Sequence, residues 1–240
     1  MADSMREFWD ARAEENALFF VDNRLDYRNP DEASFWAGGE PELASVLDPV
    51  GARLEPGDDV VEIGCGVGRL THVIARRAAT VRALDVSPAM LERARTYGRG
   101  LENVEWVLGD GASLAPIAAA SADACISHVV FQHIPDPEVT LGYVREIGRV
   151  LRPGGWAAFQ LSNAPELHRR RSGREGLAIA WRALTGRGPR GQAAAPWLGS
   201  AVGLGALREA AADGGMEVER VAGEGRLLCF VLTRRRSEDR

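Results

Sequence analysis

An α/β fold is predicted, with a mostly parallel sheet, helices on both of its faces and an antiparallel hairpin at the C-terminus. Three observations carry that expectation. Short β-branched, apolar runs alternate with helical patterns from Asp59 to Leu161. A glycine-rich turn, Gly64-Cys65-Gly66-Val67-Gly68, joins the first of these runs to a helix, the layout that brings backbone N–H groups close to a bound nucleotide-like ligand. Two closing strand-like runs, Met216–Ala222 and Arg226–Thr233, are separated only by Gly223-Glu224-Gly225, which reads as a hairpin turn.

The elements follow in order. Residues 1–54 form a helical prelude or lid. Phe8, Trp9, Ala13, Leu18 and Phe19 make an approximate helical stripe ending near Asn29-Pro30. Asp31–Trp36 reads as a short helix and Pro41–Leu54 as another, stopped by Glu55-Pro56-Gly57. Residues 55–162 form the core. Asp59–Ile63 is the first strand and Arg69–Arg77 its helix; Thr80–Leu84 is the second strand, ended by Asp85. Ser87-Pro88 starts a helix, with the cap at Ser87 and proline at the first helical position, and Gly98 stops it after Tyr97. Val104–Leu108 and Ala122–Ser127 are the third and fourth strands. Pro137–Leu151 is a long helix stopped by Arg152-Pro153-Gly154-Gly155, and Trp156–Leu161 is the fifth strand. Residues 163–200 break the pattern as an arginine-rich insertion with a helical patch at Leu177–Leu184. Residues 201–240 supply a helix near Leu204–Ala212 and the hairpin that completes the sheet.

Composition narrows the class. An apolar content of 45% supports a real core, and a net charge of −5 gives no global attraction to nucleic acid or to an anionic membrane. No apolar run approaches the roughly 20 residues of a membrane span. The first residues lack the basic region and apolar core of a signal peptide, so the expected location is the cytoplasm. Cys65, Cys125 and Cys229 are far apart and the four histidines lack ligand spacing, which points to buried reduced thiols and no metal. All 29 basic residues are arginine; without lysine there is no Schiff-base chemistry. The many alanines and glycines beside them fit a GC-rich bacterial genome.

In an open parallel sheet, ligands bind beyond the carboxyl ends of the strands, where strand order switches. Glu62 stands just before the glycine turn, where it would repel a pyrophosphate and welcome a cation. The turn is G-x-G-x-G, one residue shorter than the dinucleotide spacing. Asp85 lies twenty-one residues beyond Gly64, the spacing of an acid that accepts hydrogen bonds from ribose hydroxyls. Asp110, in Gly-Asp-Gly, suits an exocyclic amine and equally suits a turn. Ser127, His128 and His133 follow the fourth strand.

Five segments in this order resemble the motifs of class I S-adenosylmethionine-dependent methyltransferases: Val60–Arg69, Ala83–Leu91, Leu108–Gly111, His128–Pro137 and Leu151–Gly155. The likeness is to the small-molecule branch that includes methyltransferase type 11 and the ubiquinone/menaquinone-like enzymes. It covers about residues 55–162, and the terminal hairpin fits that family's Rossmann-like seven-stranded sheet. The resemblance implies S-adenosyl-L-methionine as cofactor and S-adenosyl-L-homocysteine as product. It implies that Glu62 orients the turn and faces the methionine part, while Gly64, Cys65, Gly66 and Gly68 bring backbone against it. It places Asp85 on the ribose, Val86 and Met90 near the adenine ring, and Asp110 on its amino group beside Gly111 or Ala112. Ser127 and His128 would line the floor near the sulfonium. Trp9 and Trp36 read as closing the cofactor side of the cleft and equally as core packing of the prelude.

The expected function is methyl transfer to a small-molecule acceptor, by in-line displacement with His133 as general base. His133 reads equally as a residue that holds the loop entering the Pro137 helix, and His128 as a cleft wall or a catalytic group. The arginine run from His168 to Arg171, with Arg174, Arg182, Arg187 and Arg190, reads as a solvated loop or as a lid for an anionic substrate, with Trp181 and Trp197 as apolar walls. Other readings are a protein of this fold that binds the cofactor without catalysis or runs another reaction, and an NAD-dependent oxidoreductase. No nucleic-acid or membrane partner is expected; the chain is expected as a monomer or homodimer.

Overall fold

In the computed structural model, residues 2–168, 181, 184, 185 and 188–237 are described. A seven-stranded sheet has the order β3-β2-β1-β4-β5-β7-β6. Its strands are β1 (Asp59–Ile63), β2 (Thr80–Asp85), β3 (Val104–Leu108), β4 (Ala122–Ser127), β5 (Leu151–Leu161), β6 (Met216–Ala222) and β7 (Cys229–Arg235). β1 to β5 pair in parallel; β7 runs antiparallel between β5 and β6. Strand order reverses between β1 and β4, and the ligand crevice of such a sheet opens beyond that switch.

The side-chain period of two sorts β1 onto both faces. Val61 and Ile63 enter the core under α6 (Pro137–Val150) and α8 (Leu204–Asp213). Val60 enters the core under α3 (Gly39–Leu47) and α4 (Arg69–Ala75). Glu62 shares the face of Val60, so the register carries a carboxylate to the carboxyl end of β1 on the α4 side. α5 (Pro88–Tyr97) starts as the sequence predicts, with Ser87 Oγ accepting from the Met90 amide at 3.0 Å.

Some boundaries differ from expectation for physical reasons. The first helix, α1, covers Ala2–Val21 and is broken at Asn16, whose backbone is extended. Asn16 caps the following turn through Phe19 N and bonds Tyr27 O, so the stripe does not reach Asn29. The short helix α2 is Glu32–Ala37 with Asp31 as its cap. α3 begins two residues before Pro41 and hands over to a 3-10 turn at Asp48–Val50, well short of Leu54. The Arg152–Gly155 stop is absorbed into β5 as an irregular stretch: Leu151 pairs with Ala122 and the register resumes at Trp156 with Ala124. β7 begins at Cys229, so the hairpin connection is longer than the three-residue turn read from Gly223–Gly225. The patch Leu177–Leu184 lies outside the described residues except Trp181 and Leu184. A one-turn helix, α7 (Ala195–Leu198), follows it. Among the described residues no helix is long and apolar enough to cross a membrane.

No helix joins β3 to β4. That connection is held instead by Arg149 of α6, which donates to Ile117 O and Leu114 O, both at 2.9 Å, while Glu146 holds the guanidinium. The Arg149→Ala variant is expected to lose about 2 kcal/mol of stability through these charge-assisted bonds, read as a lower urea midpoint at unchanged m-value.

Candidate active site

The glycine turn is shaped by its own bonds. Gly64, Gly66 and Gly68 all have positive φ, at 76°, 55° and 91°. A Cβ on Gly64 would collide with Val130, and one on Gly68 would lie 2.7 Å from the Trp106 ring. The amides of Gly64 and Cys65 both donate to Leu84 O, at 2.7 and 3.0 Å, and the Gly66 amide donates to Asp85 Oδ2 at 2.8 Å. These three N–H groups are therefore spent inside the protein, which removes the anion cradle that phosphate binding needs.

Two buried carboxylates flank the turn. Glu62 accepts from Thr71 Oγ1 at 2.6 Å. Burial pushes its pKa up to about 7; the Thr71 bond opposes this, and the charges of Asp85 and Glu42 add to it. Such a carboxylate gains from a cationic partner. Asp85 uses one oxygen for the Gly66 amide and the other for the Ser87 amide at 2.9 Å. Burial raises its pKa against those bonds, and each oxygen keeps a lone pair for a ligand hydroxyl.

A cleft of about 1050 Å³, counted to its open mouth, lies between these groups and α1. It is lined by the predicted Trp9, Glu62, Gly64, Cys65, Gly66, Asp85, Val86, Met90, Gly111, His128 and His133. Five predicted residues are placed off its walls. Gly68 packs on Trp106. Ser127 is buried and donates to Ile63 O. Asp110 is exposed and forms a turn, accepting from the amides of Ala112 and Ser113 and from the Ser113 hydroxyl. Burial raises the Asp110 pKa, but the Ser113 and Ala112 bonds outweigh it and hold the acid below its ordinary range. Ala112 spends its amide on that turn. Trp36 stacks on His72 and Tyr97, away from the cleft. The sequence reading did not single out Met5, Phe20, Val21, Glu42, Arg69 and Tyr143, which also line the cleft. In the sequence they are ordinary members of helical stripes, and only the docking of α1, α3 and α6 turns them inward.

α1 is docked by chemistry as well as by packing. Asp10 accepts from the Ser87 hydroxyl at 2.5 Å and from the Ala89 amide at 3.1 Å, so it shares the start of α5 with Asp85. At the other end of the helix, Val21 lies where a Cβ on Gly66 would fall, at 3.0 Å.

Over residues 61–159 the chain matches a family model described as a methyltransferase domain. That span holds both carboxylates and the turn. The chain is 37% identical over 121 residues to a malonyl-[acyl-carrier protein] O-methyltransferase of Hahella chejuensis, covering 50% of this chain and 41% of that one. It is 35% identical over 111 residues to a ubiquinone biosynthesis O-methyltransferase of Xanthomonas oryzae, covering 45% of each. The chain thus spans less than half the length of these curated relatives. In fold it is similar to a phosphoethanolamine N-methyltransferase of Haemonchus contortus solved with phosphoethanolamine and S-adenosylhomocysteine. That likeness has a TM-score of 0.69 at 17% identity and covers 99% of this chain and 49% of that one. It is also similar to an S-adenosylmethionine-dependent methyltransferase of Mesorhizobium loti, with TM-score 0.61 at 20% identity, covering 81% and 97%.

The cleft fits S-adenosylmethionine, the cofactor that the resemblance implies. Glu62 offers charge to a cationic group, Asp85 offers acceptors to a ribose, and Val86 and Met90 offer apolar walls to a base.

Beyond the domain's cleft a second groove opens, sharing Glu42, Arg69, His128, Val129 and His133 with it. Arg69, almost fully buried, pairs with Asp22 Oδ2 at 2.6 Å and with Glu42. Burial raises the Asp22 pKa, but bonds from Arg24 and Arg69 outweigh it and hold the acid at about 2. Glu42 is pushed up by burial and pulled back by Arg69. His128 Nε2 lies 3.4 Å from Glu42 Oε1, and its Nδ1 is buried with no hydrogen-bond partner among the described residues. His133 has both ring nitrogens engaged, one 3.2 Å from Gln132 Nε2 and the other 3.3 Å from Trp197 O. Gln132 is held in turn by Gln160, which also accepts from the amide of Val129. Val129 has a φ of 55°, costly for a β-branched residue and fixed by that network. Burial brings both histidines down to about 4. His72 and His168 are bonded within the structure, to Gly68 O and Tyr97 O and to Leu198 O and Ser162 Oγ. Trp197 lines the groove, and Trp181 is exposed. Of the arginine run, 169–171, 174, 182 and 187 lie outside the described residues; the Arg190 amide donates to Glu15 at 3.0 Å.

Glu62 carries a stability cost when ionised, since its folded pKa lies above the ordinary 4.5. Folding stability therefore falls as pH rises from 4.5 through 7. Glu62→Gln is expected to raise the stability of ligand-free protein at pH 8 by about 3 kcal/mol, with the gain vanishing below pH 5, and to weaken S-adenosylhomocysteine at least tenfold. Thermal unfolding at the two pH values and titration calorimetry check both halves. His133 has the opposite sign: the unfolded chain binds its proton below 6.5 and the folded chain only near 4. Stability present above pH 6.5 is lost as pH falls toward 4. Relative to His133→Asn, the wild type is expected to lose about 3 kcal/mol between pH 7 and 4.5 in urea melts.

Proposed function

We propose that this chain transfers the methyl group of S-adenosylmethionine to a hydroxyl of a small-molecule acceptor that enters by the second groove. The observation that carries this is the junction of the two cavities: the wall next to the turn and Glu62 is also the wall of an open groove, through Glu42, His128 and Val129. A sulfonium is already activated, so the residues at the junction have to align the acceptor, exclude water and hold a proton. O-methyl transfer is favoured by the names of the two curated relatives, and by a histidine at the junction with a ring nitrogen to spare. Of the two cleft histidines, His128 keeps Nδ1 uncommitted while Nε2 faces the carboxylate of Glu42. His128 is therefore our candidate for taking the acceptor's proton. His133, bonded at both nitrogens, positions Gln132 and the Val129 turn.

The floor of the groove is electrically balanced among the described residues, with Asp22 and Glu42 against Arg24 and Arg69. Its mouth is apolar, with Leu167, Leu227, Leu228 and Phe230. An acceptor with an apolar body and a neutral hydroxyl suits that lining better than an anion does.

The test is titration calorimetry with S-adenosylhomocysteine, followed by labelled-methyl transfer to a panel of phenols and catechols. Binding, followed by label in an ether product, is the expected result, with His128→Asn lowering kcat at least a hundredfold and leaving cofactor affinity intact. Failure of well-folded protein to bind the cofactor overturns the reading.

A further inference from the structure

We propose that the hydroxyl of Tyr143, and not the carboxylate of Asp110, makes the hydrogen bond to the edge of the cofactor's base. The inference rests on the cofactor reading above and goes beyond it by assigning base recognition to a residue on α6.

Asp110 spends three of its four lone pairs on its own turn. Its Oδ1 accepts from two amides, of Ala112 and Ser113, at 2.8 and 2.7 Å, and its Oδ2 from the Ser113 hydroxyl at 2.6 Å. Asp110 is exposed and does not line the cleft, although its neighbour Gly111 does. Tyr143 is the reverse case. It is 4% exposed, lines the cleft, and its hydroxyl has no hydrogen-bond partner among the described residues. A tyrosine buried to this degree ordinarily gives its hydroxyl a partner.

Its position along the cleft follows from the neighbour of its own helix: a Cβ on Gly142 would lie 3.9 Å from Ala112 O, so this part of α6 stands beside the Asp110 turn, whose Gly111 lines the same cleft as Asp85, Val86, Met90 and Tyr143. A cationic amino-acid end belongs at Glu62 and a ribose at Asp85, which leaves the base beside Val86, Met90 and Tyr143. Burial keeps the phenol protonated, so it has a proton to donate as well as lone pairs to accept with.

The two candidates differ in the specificity they produce. An ionised carboxylate only accepts, so it selects the amine of adenine and rejects the carbonyl of hypoxanthine. A hydroxyl turns about its C–O bond and serves either edge. The chain is expected to discriminate weakly between the two bases.

Calorimetry with S-adenosylhomocysteine and S-inosylhomocysteine, on wild type and Tyr143→Phe, tests this. Wild type is expected to prefer the adenine compound by less than about tenfold. Tyr143→Phe is expected to weaken both compounds by about three- to tenfold, the effect of one hydrogen bond. The thermal midpoint of the ligand-free variant should match wild type, because the hydroxyl lost there has no protein partner. Equal affinity of variant and wild type, or a preference of wild type for adenine above about a hundredfold, overturns the assignment. Absence of binding to wild type overturns the cofactor reading itself, so the two failures are distinguishable.

Discussion

A single carboxylate, that of Asp85, ties together three chain segments that are remote in sequence. Through Gly66 it fixes the glycine turn after β1, and through Ser87 it fixes the start of α5. Ser87 then holds Asp10, and with it α1. The cleft's floor and both of its walls are thus positioned from one buried acid. A group so placed must remain ionised or fully hydrogen-bonded, because an orphaned buried carboxylate costs several kcal/mol. The backbone amides supply that compensation before any ligand arrives. The site is consequently preorganised on its nucleoside side.

The acceptor side is built on a different principle. There, charges are paired with each other: Arg69 with Asp22 and Glu42, and Arg24 with the same two acids. Pairing two cations with two anions leaves little net field, and around the buried Arg69 it fixes side-chain geometry. His128 sits at the edge of that block and His133 in a neutral chain of amides. Two histidines five residues apart have in this way acquired different duties from their surroundings alone.

Much of this was legible in the chain itself. The strand–turn–helix at Val60–Arg69, the Ser87-Pro88 cap and the succession of strands along the chain follow from local pattern, since glycine at positive φ and proline at a helix start have few other uses. Asp85 was readable for the same reason: its spacing from the turn is dictated by one helix and one strand. What local pattern does not carry is which face a helix presents after docking. Tyr143, Glu42 and Arg69 read as parts of amphipathic stripes, and only tertiary packing brings them to the cleft. Asp110 shows the converse limit. Gly-Asp-Gly is compatible with a ligand acceptor and with a self-capping turn, and the choice depends on where Ser113 falls. The irregular start of β5 was hidden by the same ambiguity, because Pro-Gly-Gly serves as a helix stop and as a strand distortion alike.

The break in α1 at Asn16 separates two parts of the helix, and residues of both parts line the cleft. Met5, Trp9 and Asp10 belong to the first, and Phe20 and Val21 to the second. The first is latched to α5 by Asp10, while the second lies against the glycine turn through Val21 and is anchored just beyond it by the pair of Asp22 with Arg69. The two halves of this wall are thus fastened to different helices at the carboxyl edge of the sheet, one to α5 and one to α4.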